Sequence, residues 1–232
     1  MRKTLLLLLL AIPCLGSIAF DSYGGPTADG SYTNNALDYT HTVGSGSNRV
    51  ALVYVWAESG CGDCVNGVSF GGVWMTRIKY WAAGGSGAWI YGLIAPATGA
   101  NTVHVSYTLN YYGTGISSVV YTGAYQSSLP TNVVTGTLGP GTSFSPSLTT
   151  GADKSWVLSF AQTAYPISAG SATALRVRWS FLTWGAFDSN AAVSPAASRA
   201  LNMTTTGSSV MQYALLELVQ ASPAGSGRPI IF

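Results

Sequence analysis

Two glutamates, Glu58 and Glu217, are the residues best suited to acid–base chemistry. Each follows aromatic or apolar residues along one face of a predicted strand, and paired carboxylates of this kind cleave glycosidic bonds in some β-sheet enzymes. One carboxyl group would act as the acid if burial raised its pKa, and the other as the base. Nothing in the sequence sets the distance between them. The sequence therefore favours two strand-end carboxylates held by hydrogen bonds over a catalytic pair.

The segment Gly67-Val68-Ser69-Phe70-Gly71 matches the G-x-S-x-G pattern of serine hydrolases. That pattern needs a serine on a sharp turn between a strand and a helix. Here Ser69 lies inside a predicted strand that runs through Gly71-Gly72 into another strand. The partner base would be His41 or His104, and both lie in strand patterns. We therefore predict an ordinary strand serine at this position.

Aromatic residues are the most abundant groups that could bind a ligand, with 7 Trp and 13 Tyr in the chain. Planar rings at loop tips stack on sugars and anchor protein contacts, because they combine apolar area with a hydrogen-bonding edge. The rings close to Gly-rich turns are the predicted ligand-binding residues: Tyr80, Trp81, Tyr111, Tyr112 and Trp184. Other rings lie within alternating strands and are expected to pack inside: Trp56, Trp89, Trp156 and Trp179.

The chain begins with the features of an export signal. Arg2 and Lys3 precede an apolar run that ends at Ile12, and a proline and small residues follow. The run is too short to span a bilayer comfortably, so we expect no integral membrane insertion. We expect cleavage after Ala19, with cleavage after Gly16 as the alternative. Residues 1–19 are thus the predicted signal peptide, and the product is secreted or displayed at the cell surface.

Cys61 and Cys64 flank two residues in a Gly-rich turn. In an oxidising compartment such a pair forms a disulfide, and closing so short a loop contributes about 2 kcal/mol by chain entropy. A redox motif would need a helix N-terminus to lower a thiol pKa, and a zinc site would need two further ligands. We predict a structural disulfide.

Calcium is the metal that most needs consideration, because extracellular domains bind it through loop oxygens. The candidate ligands are Asp63, Asn66 and Asp188, but no run of alternating acidic residues joins them. We predict neither a metal nor a cofactor.

Charge argues against nucleic acid as a partner. The chain has 10 Lys and Arg against 8 Asp and Glu, and removal of Arg2 and Lys3 leaves a neutral protein. A neutral domain releases few counterions from a phosphate backbone. Charged residues make up only 8% of the chain, and so low a charge favours self-association.

Alternating patterns predict strands along most of the chain and no helix. In the strand 48–58 both faces are largely apolar, which indicates that both are covered. The other predicted strands are 73–81, 88–94, 102–108, 116–121, 155–163, 173–187 and 209–220. The Gly- and Ser-rich stretch 135–146 shows no change in composition, so we predict one domain over 20–232. Short strands at regular spacing predict an all-β fold, a single jelly-roll-like antiparallel β-sandwich.

Four segments carry a resemblance to a known group of proteins. They are Ile18-Ala19-Phe20-Asp21 and the stretches HTVGSGSNR at 41–49, VSFGGV at 68–73 and APATGANTV at 95–103. Together they resemble a widespread group of secreted bacterial and phage-associated β-sandwich proteins, most of them uncharacterised surface modules. The resemblance implies a jelly-roll-like sandwich in a surface setting, with residues 18–20 starting the first strand. It implies no catalytic residues.

The function expected from these observations is that of a non-catalytic extracellular surface-binding or adhesive module, whose aromatic loop residues contact a glycan or a surface protein. The first alternative is a structural subunit of an extracellular filament, matrix or virion surface, which self-associates through strand edges and termini. The second alternative is a carbohydrate-active enzyme that uses Glu58 and Glu217.

Overall fold

The computed structural model describes residues 16–29, 35–57, 62–83, 85–108, 114–179 and 184–222. Within these ranges the chain forms strands and no helix, so the all-β prediction is confirmed. No helix in them has the length and apolarity to cross a bilayer. The strands are β1 Ala19–Asp29, β2 Ala36–Val43, β3 Val50–Ala57, β4 Val65–Phe70, β5 Val73–Trp74, β6 Thr76–Ala83, β7 Ser86–Ile94, β8 Gly99–Tyr107, β9 Thr114–Thr122, β10 Val133–Phe144, β11 Ser147–Thr149, β12 Trp156–Gln162, β13 Ile167–Ala169, β14 Ala174–Trp179, β15 Trp184–Asp188, β16 Ser198–Ala200 and β17 Met203–Leu218.

Three antiparallel sheets form the body of the described chain. The central sheet has the order β1-β9-β3-β7-β6, and the outer sheet has the order β2-β8-β4-β5. The C-terminal sheet has the order β10-β17-β12-β15-β14, with β13 also paired to β17, and a small β11-β16 ribbon accompanies it. The first half of the chain thus supplies two sheets, and the second half supplies the third.

The central sheet is buried on both faces, which explains why β3 is apolar at every position. All eight residues of β3 are buried. One set, with Leu52 and Tyr54, packs on the C-terminal sheet, whereas the alternate set, with Val53 and Val55, packs on the outer sheet. The arrangement has three layers and is consistent with a β-sandwich; the jelly-roll topology is not confirmed.

Two predicted strands differ from the structure in an informative way. The predicted strand 173–187 is a hairpin, in which β14 pairs antiparallel with β15. The predicted strand 73–81 is split between two sheets, because β5 pairs in the outer sheet and β6 in the central sheet. Met75, only 8% exposed, lies at this crossing. Alternation alone continues through both breaks and therefore does not reveal them.

A buried ion pair joins the central and C-terminal sheets. The Asp188 carboxylate is fully buried and accepts hydrogen bonds from Arg176 Nε at 2.6 Å and from Tyr121 Oη at 2.8 Å. Arg176 Nη2 donates to the second carboxylate oxygen at 3.0 Å, and the guanidinium lies 4.6 Å from the Phe20 ring centroid. A buried charge is tolerated only when it is paired and hydrogen-bonded. This cluster therefore ties β1 and β9 to β14 and β15.

A hydrogen-bonded histidine is buried between the central and outer sheets. The ring of His41 is fully buried, with Nδ1 2.6 Å from Ser118 Oγ and Nε2 3.0 Å from Ser22 Oγ. Ser22 Oγ donates to the Asp21 carboxylate at 2.7 Å, so it accepts from Nε2–H of His41. Gly24 leaves room for the ring, because a Cβ there would lie 2.6 Å from His41 Cβ. Burial lowers the pKa of His41 from 6.5 to about 4, although the nearby Asp21 charge opposes the shift.

We predict that the free energy of unfolding falls as the pH decreases from 6.5 to 4. In that window the unfolded chain binds a proton that the folded His41 does not, and the full loss amounts to about 3 kcal/mol. Urea titrations at intervals of pH measure this slope. His104→Gln serves as the control, because it removes the second of the chain's two histidines and should leave the slope intact. An NMR titration midpoint near 6.5 for His41 would contradict the prediction.

Candidate functional site

Tyr80 and Trp81 lie on β6, an edge strand of the central sheet, and not at a loop tip. Tyr80 is half-buried and stacks on Trp89, with ring centroids 5.2 Å apart. Trp81 is also half-buried, points to the opposite face and lies 6.1 Å from the Tyr54 ring. Both rings contribute to the two cores of the central sheet. Little of either ring remains for a ligand.

Trp184 corrects the expectation of an exposed ring. It begins β15, is 2% exposed and packs edge-on against Tyr54 with centroids 4.7 Å apart. The ring is buried because the β14–β15 hairpin turns this end of the strand toward the central sheet. Tyr111 and Tyr112 lie outside the described residues, so their predicted role stays a prediction.

Two further predicted pairs are described only in part. Glu58 and Cys61 both lie outside the described residues. Cys64 is 2% exposed, immediately before β4. The disulfide between Cys61 and Cys64 and the separation of Glu58 from Glu217 therefore stay predictions.

Glu217 is a buried carboxylate with a complete set of hydrogen-bond donors. It is 4% exposed, and its oxygens accept from the backbone N–H groups of Gly151 and Ala152, both at 2.9 Å. Ser155 Oγ donates at 2.7 Å and Asn132 Nδ2 at 2.8 Å. Burial by itself would raise the pKa of Glu217, but these donors lower it below its usual value. An ionised carboxylate with four donors holds the 151–155 loop and is poorly suited to be a general acid.

A cavity of about 340 Å³ lies beside Glu217, within the size range of small-molecule sites. Its walls include the apolar side chains of Leu129, Pro130 and Leu218. The Asn132 amide nitrogen at its polar end is shared between Thr149 O at 2.9 Å and the Glu217 carboxylate. The cavity therefore offers mainly apolar surface.

Ser69 lies within β4, as the sequence predicts, and the chain then turns through Gly71-Gly72 into β5. The sheet register gives this serine unexpected neighbours. Trp74 on β5 is paired with Ser69, Ser69 with His104 on β8, and His104 with Asp38 on β2. Four strands thus carry one line of side chains, which we call the cross-strand row: Asp38, His104, Ser69 and Trp74.

The cross-strand row lies on the solvent face of the outer sheet. The alternate residues, such as Val68 and Val105, are fully buried against the central sheet. Trp74 is 67% exposed, and the side chains of Asp38 and His104 are 59% and 36% exposed, whereas Ser69, between His104 and Trp74, is only 9% exposed. No described residue of a further sheet covers this face.

Trp74 is the most exposed large apolar side chain among the described residues. One part of its ring lies over Gly67 on the neighbouring strand, where a Cβ would approach the indole to 2.9 Å. The glycine therefore lets the indole lie against the sheet while most of the ring remains in solvent. Sequence reasoning missed Trp74, because it treated 73–81 as one strand and no local pattern distinguishes this tryptophan from a core ring.

Asp38, His104 and Ser69 are the residue types of a catalytic triad, and the first two are joined. Asp38 Oδ1 lies 2.6 Å from His104 Nδ1. No hydrogen bond joins Ser69 to His104 in the described structure, and no helix begins at Ser69. A nucleophile needs a hydrogen-bonded base and donors for the oxyanion. The arrangement therefore favours polar recognition over acyl transfer.

Two of the three candidate calcium ligands, Asp63 and Asp188, have other partners, and Asn66 is exposed at the start of β4. Both oxygens of Asp63 accept from Arg77 Nη1 at 2.8 Å, and Trp89 Nε1 donates to one of them at 2.8 Å. Asp188 is held by Arg176 and Tyr121 in the ion pair described above. Over the described ranges, no three His, Cys, Asp or Glu side chains group as metal ligands would.

Comparisons with protein-family models, with curated proteins and with solved structures find no match. The resemblance to secreted β-sandwich proteins therefore stays a prediction. Function has to be inferred from the geometry of this chain, because a fold class alone does not specify an activity.

We predict that Glu217→Gln lowers the free energy of unfolding by about 2 kcal/mol, because the amide NH₂ would face groups that already donate. Urea denaturation at neutral pH measures the change. Asp153→Asn is the matched control, since this acid is exposed on the same loop and should change stability little. Equal stability of the Glu217 and Asp153 variants would contradict a structural role for Glu217.

Proposed function

We propose that this protein is a secreted, non-catalytic surface-binding module that contacts a glycan through the cross-strand row. The observation that carries the proposal is the indole of Trp74, 67% exposed on the solvent face of the outer sheet. A planar ring that is open to solvent can stack on the apolar face of a sugar, and its polar edge can form a hydrogen bond.

The surroundings of Trp74 support a hydroxyl-rich ligand. His104 and Asp38 continue the row with exposed groups that donate or accept hydrogen bonds. Thr40 and Thr102 form the adjacent pair on the same face, and both are exposed. An aromatic ring on the same face as one carboxylate and two threonine hydroxyls matches the mixed apolar and polar surface of a saccharide.

After signal cleavage the mature chain must still contain the residues that its core needs. The packing of residue 18 therefore indicates where the mature chain begins. Ile18 is 2% exposed and packs in the core between the central and C-terminal sheets. Ala19 pairs with Thr122 as the first residue of β1. Cleavage after Ala19 would remove both residues, whereas cleavage after Gly16 keeps them.

We therefore predict that the exported protein begins at Ser17. Expression in a secreting host followed by intact-mass measurement and N-terminal sequencing tests this start. An N-terminus at Phe20 in a folded product would contradict the prediction, and a full-length cytoplasmic product would contradict secretion itself.

Self-association is the second candidate function, and it has one specific observation in its favour. Strand β1 is an edge of the central sheet, and Tyr23 on it is 56% exposed. Exposed edge strands can pair with another chain. Size-exclusion chromatography over a range of concentrations distinguishes the candidates, because a binding module stays monomeric and an assembling subunit does not.

We predict that Trp74→Ala weakens glycan binding by about tenfold or more, because stacking and apolar burial on the ring are lost. A glycan array identifies a ligand for the wild-type protein, and calorimetry then compares the variants. Tyr23→Ala is the matched control, since it removes an exposed ring from β1 and should leave binding unchanged. Wild-type affinity in the Trp74 variant, or no ligand on the array, would contradict the proposal.

A further inference from the structure

The outer sheet has an unusual charge pattern for a binding face. Its four strands, β2, β8, β4 and β5, contain Asp38, His41 and His104 and no Lys or Arg. Because His41 is fully buried, Asp38 and His104 are the ionisable side chains that the described strands present to solvent. Asp38 therefore supplies a negative charge to this face.

The Asp38–His104 pair leaves one acceptor, Asp38 Oδ2, open to a ligand. Asp38 Oδ1 binds His104 Nδ1 at 2.6 Å, and Oδ2 has no hydrogen bond to another described residue. A carboxylate accepts, so Nδ1 of His104 donates to Asp38. A carboxylate with an open oxygen suits an ammonium group, which has three donors and a positive charge. A ligand carboxylate or sulfate has only acceptors and would be repelled.

The spacing of the row sets the kind of ligand that can use both ends. Neighbouring strands lie about 4.8 Å apart, so Trp74 and Asp38 are separated by about 14 Å across four strands. One sugar ring cannot reach both residues. An extended oligosaccharide can stack one ring on Trp74 and place a substituent of another ring at Asp38.

We propose that the cross-strand row selects oligosaccharides with unsubstituted amino sugars over neutral ones, and rejects acidic ones. This inference rests on the proposed function of the same face. Trp74 contacts any sugar ring. Asp38, positioned by His104, attracts a positively charged amino group and repels an acidic group. The preference is modest, about fivefold, because an exposed ion pair contributes little and is screened by salt.

Three oligosaccharides of equal length test the selectivity: a glucosamine oligomer, its fully N-acetylated form and a uronic acid oligomer. Calorimetry with the whole secreted protein, at a pH where the amine is charged, should rank them in that order at low salt. The difference in affinity between the glucosamine oligomer and its N-acetylated form should disappear in Asp38→Asn and at high salt. Thr42→Val, which removes an exposed hydroxyl from the same strand but no charge, should keep this difference in affinity.

The outcomes separate this inference from the function on which it rests. If the amino and N-acetylated oligomers bind equally and Trp74→Ala weakens both, the selectivity is wrong and glycan binding stands. If Asp38→Asn keeps the preference, the charge of Asp38 is not its cause and the inference is overturned. If none of the three oligomers nor any array glycan binds, both proposals fail. If His104→Gln also reduces the difference in affinity between the amino and N-acetylated oligomers, the result supports the positioning role of the imidazole.

Discussion

Burial of the central sheet on both faces is the constraint on which the rest of the structure depends. In β3 no residue faces solvent, so leaving either face uncovered would expose a row of apolar side chains to water. The outer sheet covers one face and the C-terminal sheet covers the other. Tyr54 marks the second interface, where it stacks on Phe160 with centroids 4.9 Å apart.

Polar groups inside these interfaces fix how the layers meet. The Asp188 carboxylate needs both Arg176 and Tyr121, which come from different sheets, and the buried His41 ring needs hydroxyls from β1 and β9. An apolar interface tolerates small shifts, but a buried polar group loses its partner when a layer slides. These clusters therefore favour one relative placement of the sheets.

The same layering determines which functional side chains are exposed to solvent. Glu217, a candidate acid in the sequence, is buried and holds a loop by hydrogen bonds. Trp184 is buried in the core. The outer sheet has one face packed and one exposed, so its outward residues form the row from Asp38 to Trp74. This face, with an exposed indole, threonine hydroxyls and an acid–imidazole pair, is the surface through which we propose that the protein binds a saccharide.

The sequence by itself determined the features that depend on neighbouring residues. Alternation predicted many of the strands, the two apolar faces of 48–58 and the strand position of Ser69. The position of Glu217 on a strand favoured a hydrogen-bonded carboxylate. Only the tertiary structure decided that Trp184 is buried, that Trp74 is exposed and that Ser69, His104 and Asp38 align. Side-chain period is local, since it follows from the pleat of one strand. Register and layer order are set by pairing between strands far apart in the chain, and no short pattern records that pairing.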